Sequence, residues 1–324
     1  MLSNLNKPPV PLHLEYLQAD YIELLCLVNV DRFISRTDVC NIFLQDGDLN
    51  DLNDFEEMHD SKAEKEDDNS QRIDDWFRHL NHRSHMFGNA YPFSLSQNGK
   101  SLERHNSLND HQKLYIFLLL ASQLRCLDKN IMSKFTNSFE VVSLQALKEY
   151  LPGNAQVHLF GTNPLNKDGD FSQSLKYERI KKLSEALLAP LQIKQDDFPK
   201  GDMGDEGLDI VAWLSIGDEA PGFITIFGQC ACGNKWVEKQ SSSGFYAWRQ
   251  IIDLKVETIN MIFIPHCFRD LQGKWYQPRN IHNTIMIDRV RMIRLLQKCD
   301  LKDIFTNDIT DFLTKMIDYI EPSV

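Results

Sequence analysis

Apolar residues recur at three- and four-residue intervals through much of the first 150 residues, a spacing that predicts helices. This spacing covers residues 13–44, and the nearly unbroken apolar run QKLYIFLLLASQLRCL predicts a buried helix over 112–127. A further helix, FEVVSLQALKEYL, is predicted over 139–151 and ends at Pro152-Gly153. We therefore predict a mainly α-helical N-terminal domain over residues 1–152.

The pattern changes after Pro152. A short β-type run at 156–160 leads through a polar loop to a predicted helix at 175–188. Strands are predicted at 208–214 and 223–231, joined by a turn, and a third β-type run follows at 256–265. The tail is predicted to be helical over 285–296 and 308–320. This order predicts an α/β domain over residues 153–324, with a mixed sheet flanked by helices.

Charge is distributed unevenly along the 324 residues. The formal net charge is −11, but residues 46–68 hold eleven acidic residues and two lysines; subtracting this local −9 leaves −2 for the rest. Because 46–71 is poor in apolar residues, we predict an acidic loop or disordered insert there, with an acidic decoy or partner-binding arm as the alternative. The remainder is not basic, so charge alone does not indicate a strong stand-alone DNA-binding protein.

The composition indicates a soluble globular protein, with 42% hydrophobic and 25% charged residues. The longest apolar stretch, at 114–121, is far too short to cross a membrane, and the N-terminus lacks the pattern of a secretion signal. Seven scattered cysteines argue against a disulfide framework. We expect a cytoplasmic protein that is not associated with a membrane.

The strongest chemical signal lies in GDMGDEGLDIVAWLSIGDEAPGFITIFGQCACGNKWVEK, residues 201–239. A glycine-rich acidic turn places Asp209 at the start of one strand, and Gln229 is a polar residue near the end of the next. In an antiparallel hairpin these two side chains would be neighbours. Carboxylate and amide oxygens at one point suit a hard cation such as Mg²⁺. Such an ion could activate a water and stabilise the charge that develops on a phosphodiester.

These motifs, in this order, resemble the PD-(D/E)XK nuclease superfamily, and most closely the core of Mrr-type restriction endonucleases. Gly204-Asp205-Glu206-Gly207-Leu208-Asp209 matches the first part of the pattern, Gln229-Cys230-Ala231 matches the second, and the similarity covers about residues 173–266. The resemblance implies a restriction-endonuclease-like α/β core, cleavage of DNA, and Mg²⁺ or Mn²⁺ as the cofactor. It also implies a glutamate, on a helix, that completes the metal site.

The lysine and the helix glutamate of the family pattern each have two candidates in this chain. The lysine should lie two residues after the glutamine, but that position is Ala231; Lys235 is the first candidate for the missing amine and Lys239 the second. Glu185, in the apolar context LSEALL, is preferred as the helix glutamate over Glu178. We therefore expect the catalytic residues to be Asp209, Gln229, Lys235 and Glu185, and the metal ligands to be Asp209, Glu185 and Gln229.

Other candidate sites have poorer spacing. His79, His82 and His85 have no carboxylate or cysteine among them, which is typical of a solvated helix face. Cys230 and Cys232, taken with His266-Cys267, could be considered for zinc or for nucleophilic catalysis. Structural zinc pairs usually have wider gaps than C-x-C, and no predicted helix N-terminus activates either thiol.

By analogy of fold, the resemblance implies that the protein is the nuclease effector of a restriction or antiphage defence system. Because the chain is not basic, affinity for DNA would come from a protein partner, such as a sensor or an ATPase subunit, or from homo-oligomers. The alternative is a catalytically degenerate nuclease fold that serves as a binding or structural subunit, for which Ala231 is the evidence.

Overall fold

The computed structural model describes residues 2–5, 7–11, 13–45, 62–199, 201–300, 302 and 304–318. The strands of this part of the chain are β1 (Phe33–Ser35), β2 (Phe93–Leu95), β3 (Ser101–Arg104), β4 (Gln156–Leu159), β5 (Ile210–Leu214), β6 (Ile224–Cys230), β7 (Ile259–Phe263) and β8 (Ile285–Ile287). The α-helices are α1 (Glu15–Val28), α2 (Arg36–Gln45), α3 (Lys62–Phe87), α4 (Asp110–Ser122), α5 (Lys129–Tyr150), α6 (Lys176–Ala186), α7 (Trp236–Lys239), α8 (Phe245–Trp248), α9 (Arg289–Leu295) and α10 (Asn307–Ile317).

The chain divides into two compact units, and neither is continuous in sequence. Unit 1 comprises Met1–Met132, His266–Tyr276 and Asn307–Val324, and unit 2 comprises Ser133–Pro265 and Gln277–Thr306. The division therefore falls inside α5 and not at residue 152, where we expected a boundary. Helix α5 begins ten residues before the predicted start at 139, and most of its length belongs with the sheet that follows it.

Unit 1 combines helices with a small antiparallel sheet of strand order β1-β3-β2. The helix expected over 13–44 is interrupted after Val28: Arg32 has a φ of +54°, and β1 then pairs Ile34 with Leu102. Three strand residues barely alter the apolar spacing, so periodicity could not reveal the break. The loop expected over 46–71 is corrected at its end, because 62–71 are helical; residues 46–61 lie outside the described residues.

A buried charge network links α1, α3 and α4 within unit 1. The Arg83 guanidinium donates to Asp20 Oδ1 at 2.6 Å and to Glu23 Oε2 at 2.9 Å, and all three side chains are fully buried. The hydroxyls of Tyr91 and Tyr115 donate to Glu23 at 2.8 and 2.9 Å. These hydrogen bonds satisfy charges that would otherwise be costly to bury.

The three histidines of α3 do not form one solvated face. His79 is buried, its Nε2 lies 2.8 Å from the backbone oxygen of Arg269, and burial lowers the pKa of its ring to about 3. His82 is half-buried, and only His85 is exposed as expected. The expectation fails for His79 because the segment that covers it follows nearly 190 residues later in the chain.

Unit 2 contains a five-stranded mixed sheet, of strand order β4-β5-β6-β7-β8, flanked by helices. Strands β4, β5 and β6 pair antiparallel, whereas β6, β7 and β8 pair parallel. The start of β5 and the ends of β4, β6 and β7 therefore lie at one edge of the sheet. Helix α6 packs Ile180 and Leu183 into the core formed with Val211, Trp213 and Phe227 of the sheet.

The α/β class expected after Pro152 is confirmed at the level of a mixed sheet flanked by helices. The segment expected to be one helix over 285–296 instead forms β8 and then α9. Asp288 separates them, since its side chain accepts a hydrogen bond from the backbone nitrogen of Arg291 at 3.1 Å and caps α9. Helix α10 occurs where it was expected. Within the described residues, every helix is too short or too polar to traverse a lipid bilayer.

Candidate functional site

Asp209 and Gln229 form a cross-strand pair at the edge of the sheet where β5 begins and β6 ends. The backbone nitrogen of Asp209 donates to Gly228 at 2.9 Å. Its Oδ2 atom accepts one hydrogen bond from Gln229 Nε2 at 2.7 Å and another from the backbone nitrogen of Cys230 at 2.6 Å. Both side chains are 7% exposed. The contact expected from the hairpin is present, and Oδ1 of Asp209 lies outside these two hydrogen bonds.

The amide of Gln229 is engaged at both ends. Its Oε1 atom lies 2.9 Å from the hydroxyl of Ser242, which is therefore able to donate to it. The same hydroxyl lies 2.7 Å from the backbone oxygen of Lys239, and its single proton can serve only one of these acceptors at a time. The contact with Ser242 orients the Gln229 nitrogen toward Asp209, and it occupies the oxygen that the sequence suggested as a metal ligand.

Two cations of α6 hold the acidic turn that precedes Asp209. The guanidinium of Arg179, a buried side chain, donates to the backbone oxygen of Met203 at 2.8 Å. The Lys176 ammonium lies 2.5 Å from Asp202 Oδ2 and also contacts the carboxylate of Glu206. Because α6 is anchored in the core, these contacts give the turn a fixed position. The sequence analysis assigned no role to either cation.

The helix carboxylate that the structure brings toward Asp209 is Glu140, on α5. Its Oε2 atom accepts a hydrogen bond from Asn163 Nδ2 at 2.6 Å. Burial raises the pKa of Glu140 to about 7; the hydrogen bond from Asn163 opposes this shift, and the charge of Asp205 adds to it. Sequence reasoning missed Glu140 because its helix was assigned to the N-terminal domain. The available signal was an acidic residue between the buried apolar positions 139 and 142.

The electrostatics of Asp209 reflect crowding of negative charge in a buried place. Burial raises the pKa of Asp209 well above its ordinary value, and repulsion from Glu140 and Asp205 raises it further. The hydrogen bond from the Cys230 backbone and the charge of Lys239 act in the opposite direction. Carboxylates in this arrangement favour a bound proton or a bound cation.

The structure does not bring either glutamate of α6 to this pair. Glu185 is exposed and Glu178 is half-buried, and neither is among the main causes of the raised pKa of Asp209. Their helix directs Ile180 and Leu183 into the core, which turns Glu185 toward the surface. The apolar context of Glu185 therefore reflects the packing of its neighbours.

Of the two candidate lysines, Lys239 is the one that acts on Asp209. Lys239 is the last residue of α7, and its charge lowers the pKa of Asp209 and of Cys232. Lys235 precedes α7 and is exposed, and it is not among the main charges that shift the pKa of Asp209. Ala231, where the PD-(D/E)XK pattern would place a lysine, is 1% exposed.

Cys230 is the last residue of β6, and Cys232 follows it two residues later. Burial raises the pKa of the Cys230 and Cys232 thiols, which keeps both protonated. His266 and Cys267 belong to unit 1, whereas the C-x-C pair belongs to unit 2. Across the described ranges, no three side chains of His, Cys, Asp or Glu lie close enough together to hold a metal ion by themselves.

Comparisons of the chain with protein-family models, with curated proteins and with solved structures found no match.

Proposed function

We propose that unit 2 is a metal-dependent endonuclease of the PD-(D/E)XK type, which hydrolyses phosphodiester bonds of DNA with Mg²⁺ or Mn²⁺. The observation that carries the proposal is the buried pair of Asp209 and Gln229 at one edge of a mixed sheet, where repulsion from the half-buried Glu140 adds to the raised pKa of Asp209. Perturbed, mutually repelling carboxylates are typical of functional sites. The order helix α5, strands β4 to β6, short helices and parallel strand β7 also agrees with a restriction-endonuclease-like core.

The residues fit a divalent cation. Mg²⁺ keeps several waters and is usually held by one or two carboxylates together with substrate phosphates, so two acidic side chains suffice. The hydrogen bonds described above use Oδ2 of Asp209 and Oε2 of Glu140, and each carboxylate has a second oxygen for the cation. When bound, the ion would polarise the phosphodiester and lower the pKa of the attacking water.

The remaining residues of the site have positioning or electrostatic roles in this proposal. Gln229 orients the Asp209 carboxylate, and Ser242 orients Gln229. Lys239 supplies the positive charge that the family places two residues after the glutamine, and it would orient water or offset phosphate charge. Glu140 replaces Glu185 as the proposed helix carboxylate, and Lys239 replaces Lys235.

Cleavage of supercoiled plasmid by the purified chain tests the proposal, with Mg²⁺, Mn²⁺ or a chelator present. The parent should nick and linearise DNA only with metal, and Asp209→Asn and Glu140→Gln should each abolish cleavage while remaining folded. Asp218→Asn is the matched control, because this carboxylate is exposed in the turn between β5 and β6. Plasmid left intact by the parent under every metal condition, together with no Mn²⁺ binding by calorimetry, would contradict the proposal.

A degenerate site is the second candidate, favoured by one observation. The family's lysine position is Ala231, a buried side chain two residues after Gln229. In that case Mn²⁺ would bind to the parent and not to Asp209→Asn, but neither protein would cut DNA. The nuclease proposal keeps its defence-system context and its expected sensor, ATPase or homo-oligomeric partner, since a chain of net charge −11 needs help to concentrate on DNA.

A further inference from the structure

Two loops of unit 2 that carry exposed basic side chains are held together beside α7. Lys235 and Lys239 flank this short helix, and Arg279 and His282 lie on the loop before β8. All four side chains are exposed. We call these four residues the basic rim.

Gln240 joins the two halves of the basic rim. This side chain is 3% exposed; its Nε2 donates to the backbone oxygen of Asn280 at 2.7 Å, and its Oε1 accepts from the backbone nitrogen of His282 at 3.0 Å. The Gln240 backbone oxygen in turn accepts from Asn260 Nδ2, on β7, at 2.6 Å. The loop that carries Arg279 is therefore one glutamine side chain away from Lys239, and both are anchored to the sheet.

The rim is basic in a strongly acidic protein. Residues 233–249 contain three basic and one acidic residue, and residues 277–283 add Arg279, which gives +3 against −11 for the whole chain. Lys235, Lys239 and Arg279 form no ion pair with another residue of the described ranges. An acidic chain gains solubility from negative charge, so exposed cations clustered at one site indicate a polyanionic partner.

We propose that the basic rim binds the phosphodiester backbone of the nucleic acid that the adjacent site cleaves. This inference rests on the proposed function and names the surface that receives its substrate. The rim's contacts are with phosphates, so they position the strand across Asp209 and Glu140 without reading its sequence. Lys239 is shared, because it acts on the carboxylates as well as facing the rim.

The experiment measures DNA binding separately from cleavage. A fluorescent duplex is titrated with the Asp209→Asn protein in the presence of a chelator, by anisotropy, at salt concentrations from about 50 to 200 mM. The doubly substituted protein Lys235→Ala/Arg279→Ala, in the same background, should lose about two units of the slope of log affinity against log salt, since each phosphate contact contributes about one. Its affinity should fall similarly for unrelated duplex sequences.

Two further variants make the result specific. In the first, Arg279→Lys replaces Arg279→Ala in the double variant. Because lysine keeps the charge, this protein should recover about one unit of the lost salt slope. Lys255→Ala is the matched control: this lysine is exposed, lies beside Gly222 at the turn end of the sheet and pairs with Asp253, so its removal should leave the slope unchanged. Circular dichroism of each variant checks that the fold is kept.

The outcomes separate the rim from the nuclease. An unchanged salt slope in the folded double variant overturns the rim proposal, even if the parent cuts DNA. A reduced slope, restored by Arg279→Lys, supports the rim even if the parent cuts nothing, in which case only the nuclease proposal fails. For a parent that does cut, the double variant should raise the DNA concentration needed for half-maximal cleavage without lowering the maximal rate.

Discussion

An ideal β-carbon on Gly207 would lie 2.5 Å from the β-carbon of Ser242. Real β-carbons do not approach so closely, and Gly207 also has a φ of +70°, which disfavours any other residue. Gly207→Ala should therefore displace Ser242 and release its hold on Gln229. We expect at least a tenfold loss of cleavage, in line with the loss of an electrostatic group, and a decrease of about 1–3 kcal/mol in the free energy of unfolding.

Gly217→Ala is the control for Gly207→Ala. Gly217 has a φ of +90°, but a β-carbon there would meet no atom within 4 Å. The control thus measures the backbone cost alone, and it should retain full cleavage. Equal loss of activity in the two variants would show that crowding at Ser242 is irrelevant to the site.

Ser242 should affect the rate of cleavage more than the affinity for DNA. Ser242→Ala leaves Oε1 of Gln229 without this donor, a loss of about 1 kcal/mol, and lets the amide rotate away from Asp209. We expect kcat to fall several-fold with KM unchanged, and Ser242→Thr, which keeps the hydroxyl, to retain most of the activity. Ser241→Ala is the control because its side chain is exposed. Identical kinetics for Ser242→Ala and the parent would remove Ser242 from the site.

Substitution of Lys239 should change kcat, whereas substitution of Lys235 should change KM. Lys239→Ala should lower kcat by roughly a hundredfold, since the charge of Lys239 lowers the pKa of Asp209. Lys235→Ala should leave kcat unchanged and raise KM. Single-turnover cleavage at saturating protein distinguishes these effects. A low kcat for Lys235→Ala with normal kcat for Lys239→Ala would restore the assignment suggested by sequence. Ala231→Lys would place a lysine where the PD-(D/E)XK pattern has one, but it should not restore activity to Lys239→Ala, because the lysine would enter a buried position.

The stability of unit 1 should decrease in mild acid because of His79. Its folded-state pKa of about 3 lies below the unfolded value of about 6.5, so the unfolded chain binds the extra proton between these values. The free energy of unfolding therefore falls as the pH drops below about 6.5, by at most about 1.4 kcal/mol per pH unit from this group. Urea unfolding from about pH 7.5 to about pH 5 should show a shallower decrease for His79→Gln than for the parent. His85→Gln, at an exposed position, should follow the parent; a matching shift there would argue against His79 as the cause.

Arg83 should be the most costly cation of unit 1 to remove. Arg83→Met removes the guanidinium that pairs with the fully buried Asp20 and Glu23, which should lower the free energy of unfolding by about 3–5 kcal/mol. Arg78→Met, which removes an exposed ion pair with Asp75, should cost less than about 1 kcal/mol. Urea denaturation followed by circular dichroism compares the two. A small effect of Arg83→Met would mean that the carboxylates are protonated in the folded state.

The elements with strong local signals were predictable from the sequence. Strands β5 and β6 are continuous apolar runs bounded by glycine-rich turns, and a hairpin then requires Asp209 and Gln229 to be neighbours. The helix carboxylate was not predictable in this way. Glu140 acts on Asp209 because most of α5 belongs to unit 2 with the sheet, a tertiary fact that periodicity does not encode. Distance along the chain favours Lys235 over Lys239, because the sequence pattern does not show the short helix α7 that ends at Lys239.

The segmented construction of unit 1 has a consequence for protein synthesis. Its α10 packs against α1 and α4 and buries Ile309 and Leu313, yet α10 begins 175 positions after Met132, counting from 132 to 307. At a translation rate of roughly 5–20 residues per second, the N-terminal segment emerges from the ribosome about 10 to 35 seconds before the helix that completes it. By then, every residue of unit 2 up to Thr306 has already been made. Unit 2, which holds the proposed catalytic site, can thus fold first. The N-terminal segment of unit 1 meanwhile exposes apolar surface that a chaperone would have to cover.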